Sequence, residues 1–137
     1  METAVLDWLN AWQKAINARD YEGGALLFDE DVIAFGTYSD AMRGRDNLVQ
    51  RQWREMWPYI SNFRFTIEEM TLLGAEGEPL ALVICPWTSL GIAPDGTSFL
   101  RAGRCTIALR LSDRGALLAV HTHFSMSKGS VARVQAA

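Results

Sequence analysis

The stretch "GRCTIALRLSDRGALLAVHTHFSMS", residues 103–127, decides how this chain folds. Its first part continues an apolar, strand-forming run that starts at Phe99, and "FLRAGRCTIALRL" reads as one long strand. Ser112 to Gly115 spell a tight turn. The run "ALLAVHTHFSM", residues 116–126, then returns as the second strand of an antiparallel hairpin. That strand holds both histidines of the chain, His121 and His123. Residues two apart on a strand point to one face. The pair is therefore a metal clip, an acid/base pair, a hydrogen-bonded structural feature or an accident.

Upstream of the hairpin, "LALVICPWTSL" (80–90) is apolar on both faces, and its Pro86 implies an edge position or a bulge. "APDG" (93–96) is a turn signal. Phe63, Phe65 and Ile67 alternate with Arg64, Thr66 and Glu68, the pattern of a half-buried strand. The beginning of the chain has a different period. Val5, Trp8, Leu9, Trp12, Ala15 and Ile16 recur at steps of three and four, one apolar stripe on a helix, with Thr3 placed to cap it. Asp20 is positioned as a second N-cap, for a short helix from Tyr21 to Phe28 that Gly23 and Gly24 weaken. "DED" (29–31) is a turn, Val32 to Gly36 a short strand, and "TYSDAMRG" (37–44) a loop. A third helix runs from about Asp46 to Trp57, with Val49, Trp53, Met56 and Trp57 on one stripe, and Pro58 stops it.

Helices gathered early and a meander of strands late predict an α+β domain, three N-terminal helices packed on a bent, mostly antiparallel sheet. No linker or repeat divides the 137 residues, so residues 1–137 read as one domain, with 126–137 a loose tail. Hydrophobic residues make up 49% and charged residues 21%, the balance of a soluble globular protein. With a net charge of −3 and no basic block, nothing points to nucleic acid or to an anionic membrane. Glu2 and Asp7 interrupt the first segment, which reads neither as a signal peptide nor as a membrane span, and a cytoplasmic address follows by default. Cys85 and Cys105 both sit in apolar runs and read as buried free thiols on neighbouring strands.

Two stretches carry a family resemblance: "ARDYEGGALLFDEDVIAFGTYSDAMRGRDNL" and the final hairpin already quoted. Together they resemble the SnoaL-like branch of the nuclear transport factor 2-like superfamily. In that branch a helix, an aspartate pair, a short strand and a "G-R-D/E" helix start follow in order, and the last strand ends in "VH-x-H-x-S". The same ending is seen in the association domain of calcium/calmodulin-dependent protein kinase II, another member. The resemblance implies a cone-shaped half-barrel with a pocket between sheet and helices, and a homodimer formed through the outer face of the sheet. It spans isomerases, dehydratases, cyclases, hydrolases and members that only bind or assemble. One position departs: the branch commonly has tryptophan four residues before the first histidine, where this chain has Leu117.

Parity decides what the histidines can do. Hydropathy slightly favours Leu118, Val120, Thr122 and Phe124 as the core face, which would turn the imidazoles outward. The resemblance favours the opposite, because the branch's inward tryptophan shares parity with the histidines. On that basis His121, His123 and Ser125 are expected at the pocket end of the strand. The two imidazoles would be the acid/base candidates of a proton-transfer enzyme, an isomerase, dehydratase or cyclase. Ser125 or a carboxylate would fix a tautomer.

A metal is not expected, because a site needs three or four ligands and no third histidine exists; Asp40 would have to assist. No cofactor is expected either, since the chain lacks a glycine-rich phosphate loop and a dinucleotide fingerprint. Arg101 and Arg104 lie on the strand that pairs with the last one, so one could hold a carboxylate, and Arg104 is preferred because it stands in "GRCT". Arg43 and Arg45 read as solvated. Trp12, Trp53, Trp57, Trp87, Phe35 and Tyr38 are core residues by default, of which Trp53, Trp57 and Tyr38 are also candidates to meet a ligand. Tyr38 and Asp40 fall near the expected pocket mouth. In the ketosteroid-isomerase relatives an aspartate near that region is the base and a first-helix tyrosine supports the oxyanion. The first helix here has no tyrosine, which argues against chemistry of that type. The pocket therefore reads as that of a small-molecule enzyme or, alternatively, of a non-catalytic binding or assembly module.

Overall fold

In the computed structural model, residues 1–37, 39–74 and 77–127 are described. Tyr38 and residues 128–137, most of the expected tail, lie outside them. Helix α1 (Glu2–Ala18) buries Val5, Trp8, Leu9, Trp12, Ala15 and Ile16, the whole stripe read from the sequence. It starts at Glu2 with no side-chain cap, so Thr3 lies inside its first turn. Arg19 ends it in the left-handed conformation (φ 53°) and sends its guanidinium to the carbonyls of Trp57 and Pro58. Asp20 then caps α2 (Tyr21–Ala25), its carboxylate accepting from the Gly23 N–H at 2.9 Å.

Strand β1 (Phe28–Phe35) follows, then the two-residue β2 (Met42–Arg43). The third helical segment is α3 (Arg45–Leu48), a π-helical turn over Val49–Trp53 and α4 (Arg54–Met56). Pro58 sits in the 3-10 turn that ends it. The stripe predicted there holds: Val49, Trp53 and Trp57 are buried, and Trp53 stacks on Trp57 with centroids 4.5 Å apart. The remaining strands are β3 (Ile60–Phe65), β4 (Thr71–Leu73), β5 (Leu80–Ile92), β6 (Ser98–Leu111) and β7 (Leu117–Met126).

All seven strands share one unclosed sheet in the order β2-β1-β7-β6-β5-β3, with β4 also on β5. Every pairing is antiparallel except β1 on β7. Helix α1 covers the sheet and seals its β3 edge. Gln13 Oε1 accepts from the Phe65 N–H, and the Asn17 amide both accepts from and donates to the backbone of Phe63. Those strand groups would otherwise offer a template for another chain. Pro86 lies deep in β5, where β3 ends and β4 has not begun. Its carbonyl accepts from Thr66, so its missing donor falls in the gap between the two partner strands. None of the described helices is long and apolar enough to cross a membrane.

The face alternation changes once within β7. Leu109 pairs with Ala119 but Ala108 pairs with His121, which leaves Val120 as an extra residue, a β-bulge. Ala119 is fully buried among the helices, as parity from Leu117 demands. Beyond the bulge the buried residues are Thr122 and, partly, Phe124, whose ring meets Trp12, Phe63 and Trp87. The expectation that the histidines share the inward face of Leu117 and Ala119 is therefore corrected: one inserted residue turns them outward.

Gly103 shows how closely the inner face is packed, because a Cβ there would run into the Ser125 carbonyl and the Trp87 ring. Gly103→Ala is expected to destabilise the fold by about 1–3 kcal/mol. Urea unfolding measures this, and an unchanged midpoint would show that the Trp87 ring does not lie across that glycine.

Candidate functional site

The helices and the inner face of the sheet enclose a cleft of about 740 Å³ that opens to solvent. Its wall includes Met42, Met56, Ile60 and Phe99, and its rim carries Asp40, Arg51 and Glu55. Behind it lies a smaller hollow of about 40 Å³, floored by Trp12, Trp53, Trp57, Trp87 and Phe124. Gln52, Met56, Ile60 and Arg101 line both spaces and form the throat between them. Gly36 has no side chain because the Gln52 amide lies against it; a Cβ there would come within 2.6 Å of its nitrogen.

Arg101 is the charged group of this throat and is only 3% exposed. One Nη donates to Ser89 Oγ at 3.3 Å and the other to Thr37 Oγ1 at 3.1 Å. The guanidinium carbon stands 5.4 Å from the centre of the Trp87 ring, where the π face favours a cation. The indole N–H groups of Trp12 and Trp87 are buried and lack a hydrogen-bond partner among the described residues.

The residues singled out in the sequence divide between the two faces of the sheet. Trp53 and Trp57 line the inner hollow and Asp40 the outer cleft. Arg104 is exposed on the opposite face and donates from Nε to Ser125 Oγ at 2.9 Å. It forms a surface hydrogen bond there and does not reach the pocket. His121 donates from Nδ1 to the Ile33 carbonyl at 2.6 Å. His123 is exposed. The Phe35 ring stands edge-on to both imidazoles, 5.1 Å from each. Arg45, expected in solvent, is half-buried and reaches the Phe28 carbonyl.

The arginine at the throat was legible in the sequence. Arg101 shares parity with Cys105, Ile107 and Leu109, all buried, whereas Arg104 does not. Gln52 and Thr122 carried no comparable signal, since a lone amide on a helix and a threonine in a strand are ordinary residues.

A model of the SnoaL-like domain matches residues 9–134. This chain belongs to the SnoaL-like family. No curated protein matches it in sequence. Among solved structures, the SnoaL-like fold here is similar to a ketosteroid isomerase-like protein from Erwinia carotovora atroseptica. The TM-score is 0.76 at 17% identity, covering 93% of this chain and 94% of that one. A nuclear transport factor 2-like superfamily protein from Salmonella enterica serovar Typhimurium gives 0.77 at 16% identity, covering 96% and 94%. The association domain of C. elegans calcium/calmodulin-dependent kinase II gives 0.70 at 15% identity, covering 90% and 94%. At these identities the likeness is one of fold.

Cys85 and Cys105 face each other across β5 and β6, both buried and free. Burial, and then the Glu68 carboxylate, push the Cys85 thiol up to about 11. Burial and the neighbouring Cys85 raise Cys105 as well. The unfolded chain loses the Cys85 proton near 9.0 while the folded chain keeps it to about 11, so stability falls as pH rises through that interval. Urea unfolding from pH 8 to pH 11 checks the decline. Iodoacetamide at pH 8 is expected to leave both thiols of the native chain unmodified, and rapid native labelling would contradict their burial.

Proposed function

We propose that this SnoaL-like chain binds a small organic molecule between its helices and the inner face of its sheet. The observation that carries this reading is the buried Arg101 at the throat of an open cleft, with tryptophan rings behind it. Such a site combines apolar area for affinity with a few fixed polar groups for orientation. Plain binding is better supported than catalysis by the histidines, because both imidazoles stand on the other face of the sheet. Among the described residues no imidazole or carboxylate lines the inner hollow. An isomerase, dehydratase or cyclase working here would draw its base from Asp40 or Glu55 at the rim and use Arg101 to stabilise negative charge.

Ligand-observed NMR with a mixed library of acids, amides, alcohols and fused-ring compounds tests the pocket. Hits are expected to raise thermal stability by about 2–3 kcal/mol at a hundredfold excess over Kd. Ile60→Trp, which fills the throat, should abolish them, while His121→Ala and His123→Ala should not. A library that binds wild type and Ile60→Trp alike would remove the pocket from any role.

A second copy of the chain is the proposed occupant of the outer face. Leu82, Ile84 and Phe35 expose 38%, 40% and 37% of their surface there, apolar area that a second copy would cover. The association-domain relative supports assembly by its name. Sedimentation equilibrium is expected to show twice the 15.3 kDa chain mass, and Ile84→Arg to show a folded monomer. A monomeric wild type would end this reading.

A further inference from the structure

Most hydrogen-bonding groups around the throat are already committed to the protein itself. Arg101 donates from its Nη atoms to Ser89 Oγ, Thr37 Oγ1 and Met126 Sδ. Gln52 Oε1 accepts from Ser39 Oγ at 3.0 Å. Thr37 and Gln52 have thus each taken a hydrogen. Deeper in, the balance differs. The indole N–H groups of Trp12 and Trp87, residues 3% and 2% exposed, lack an acceptor among the described residues. Thr122, 2% exposed, lines the same hollow, and its Oγ1 receives no hydrogen from the described residues. A buried donor without an acceptor has given up water for nothing. Indole N–H can only donate, whereas a threonine hydroxyl donates and accepts.

Charge and size narrow what can meet these groups. A cationic head would enter against the Arg101 guanidinium, whose carbon stands 5.4 Å from the centre of the Trp87 ring. An anionic head would shed its water at a throat whose guanidinium donors are engaged, and burying a charge without full compensation is costly. The hollow of about 40 Å³ admits a small head group and excludes a ring. The cleft outside it, about 740 Å³, has room for a ligand body against Met42, Met56, Ile60 and Phe99.

We propose that the ligand is an uncharged alcohol with an apolar body. Its hydroxyl oxygen enters the inner hollow, accepts from the indole N–H of Trp12 or Trp87 and donates to Thr122 Oγ1, while its body fills the outer cleft. A hydroxyl does both with a single heavy atom, which suits a space of this size. This inference rests on the pocket reading above and names the chemistry of its ligand.

The test is an NMR titration of the 15N-labelled chain with four heads on one body: cyclohexylmethanol, methylcyclohexane, cyclohexanecarboxylate and cyclohexylmethylammonium. The alcohol is expected to bind about threefold or more tighter than methylcyclohexane, and at least about tenfold tighter than either ion. An indole N–H signal of Trp12 or Trp87, assigned with Trp12→Phe and Trp87→Phe, should move downfield with the alcohol and not with methylcyclohexane. Thr122→Val keeps a β-branched side chain in the strand and removes the acceptor. It should weaken the alcohol about threefold and leave methylcyclohexane unchanged. Should that variant not fold, the wild-type series and the indole signals still decide. Binding of the carboxylate or of methylcyclohexane as tight as that of the alcohol would overturn the inference and leave the pocket reading intact. Failure of all four to bind would also overturn it, and the mixed-library screen then decides separately whether the pocket reading falls.

Discussion

Val120 is the residue on which the two faces of this sheet depend. Strand β6 keeps strict alternation through Arg101, Gly103, Cys105, Ile107 and Leu109, all buried. Strand β7 matches it only by placing one residue too many between Ala119 and His121. A one-residue slip moves every later side chain to the other face. Thr122 and Phe124 therefore turn toward the helices, and His121, His123 and Ser125 turn away. Strand β1 follows the same division: Phe28 and Ala34 are buried with Ala119 and Thr122, while Ile33 and Phe35 lie beside the histidines. The acidic run of residues 29–31 takes up the offset between those two strands.

Helix α1 makes the inner face possible. Its stripe brings Trp8 and Trp12 onto Phe28, and Trp12 onto Trp53, Phe65 and Phe124, in tilted and edge-to-face contacts. Its polar side, through Gln13 and Asn17, satisfies the backbone of β3 beside the bulge marked by the positive φ of Asn62. One helix thus supplies both the apolar cover and the hydrogen bonds that close an exposed edge. Wide aromatic rings meet at a few contacts and leave a hollow between them, and Arg101 closes its open side.

Function is partitioned by the same geometry. The inner face lines a cavity with aromatic rings, Gln52, Thr122 and Arg101. The outer face collects aliphatic side chains, Phe35 and both imidazoles. A histidine donating to the Ile33 carbonyl holds the β1–β7 junction together. That gives at least one of the paired imidazoles a structural task and accounts for its place opposite β1.

The sequence by itself determined the early helices, the long strands, their order and most of the core, but not β2, β4 or the start of β1 at Phe28. The stripe of α1, the cap at Asp20, the stop at Pro58, the hairpin turn at residues 112–115 and the burial of both cysteines all follow from local period and turn chemistry. The preference for Arg104, taken from the "GRCT" motif, failed against parity: Arg101 shares the face of the buried Cys105, Ile107 and Leu109, and Arg104 does not. What only the tertiary structure decided was the direction of the histidines. A bulge costs a single residue and leaves no compositional mark: "LLAVHTHF" reads as an unbroken strand whether or not Val120 is paired. Its position is set by the partners β7 must satisfy on both sides, a helix-covered β6 and a parallel β1, and those are brought together only when the whole sheet forms.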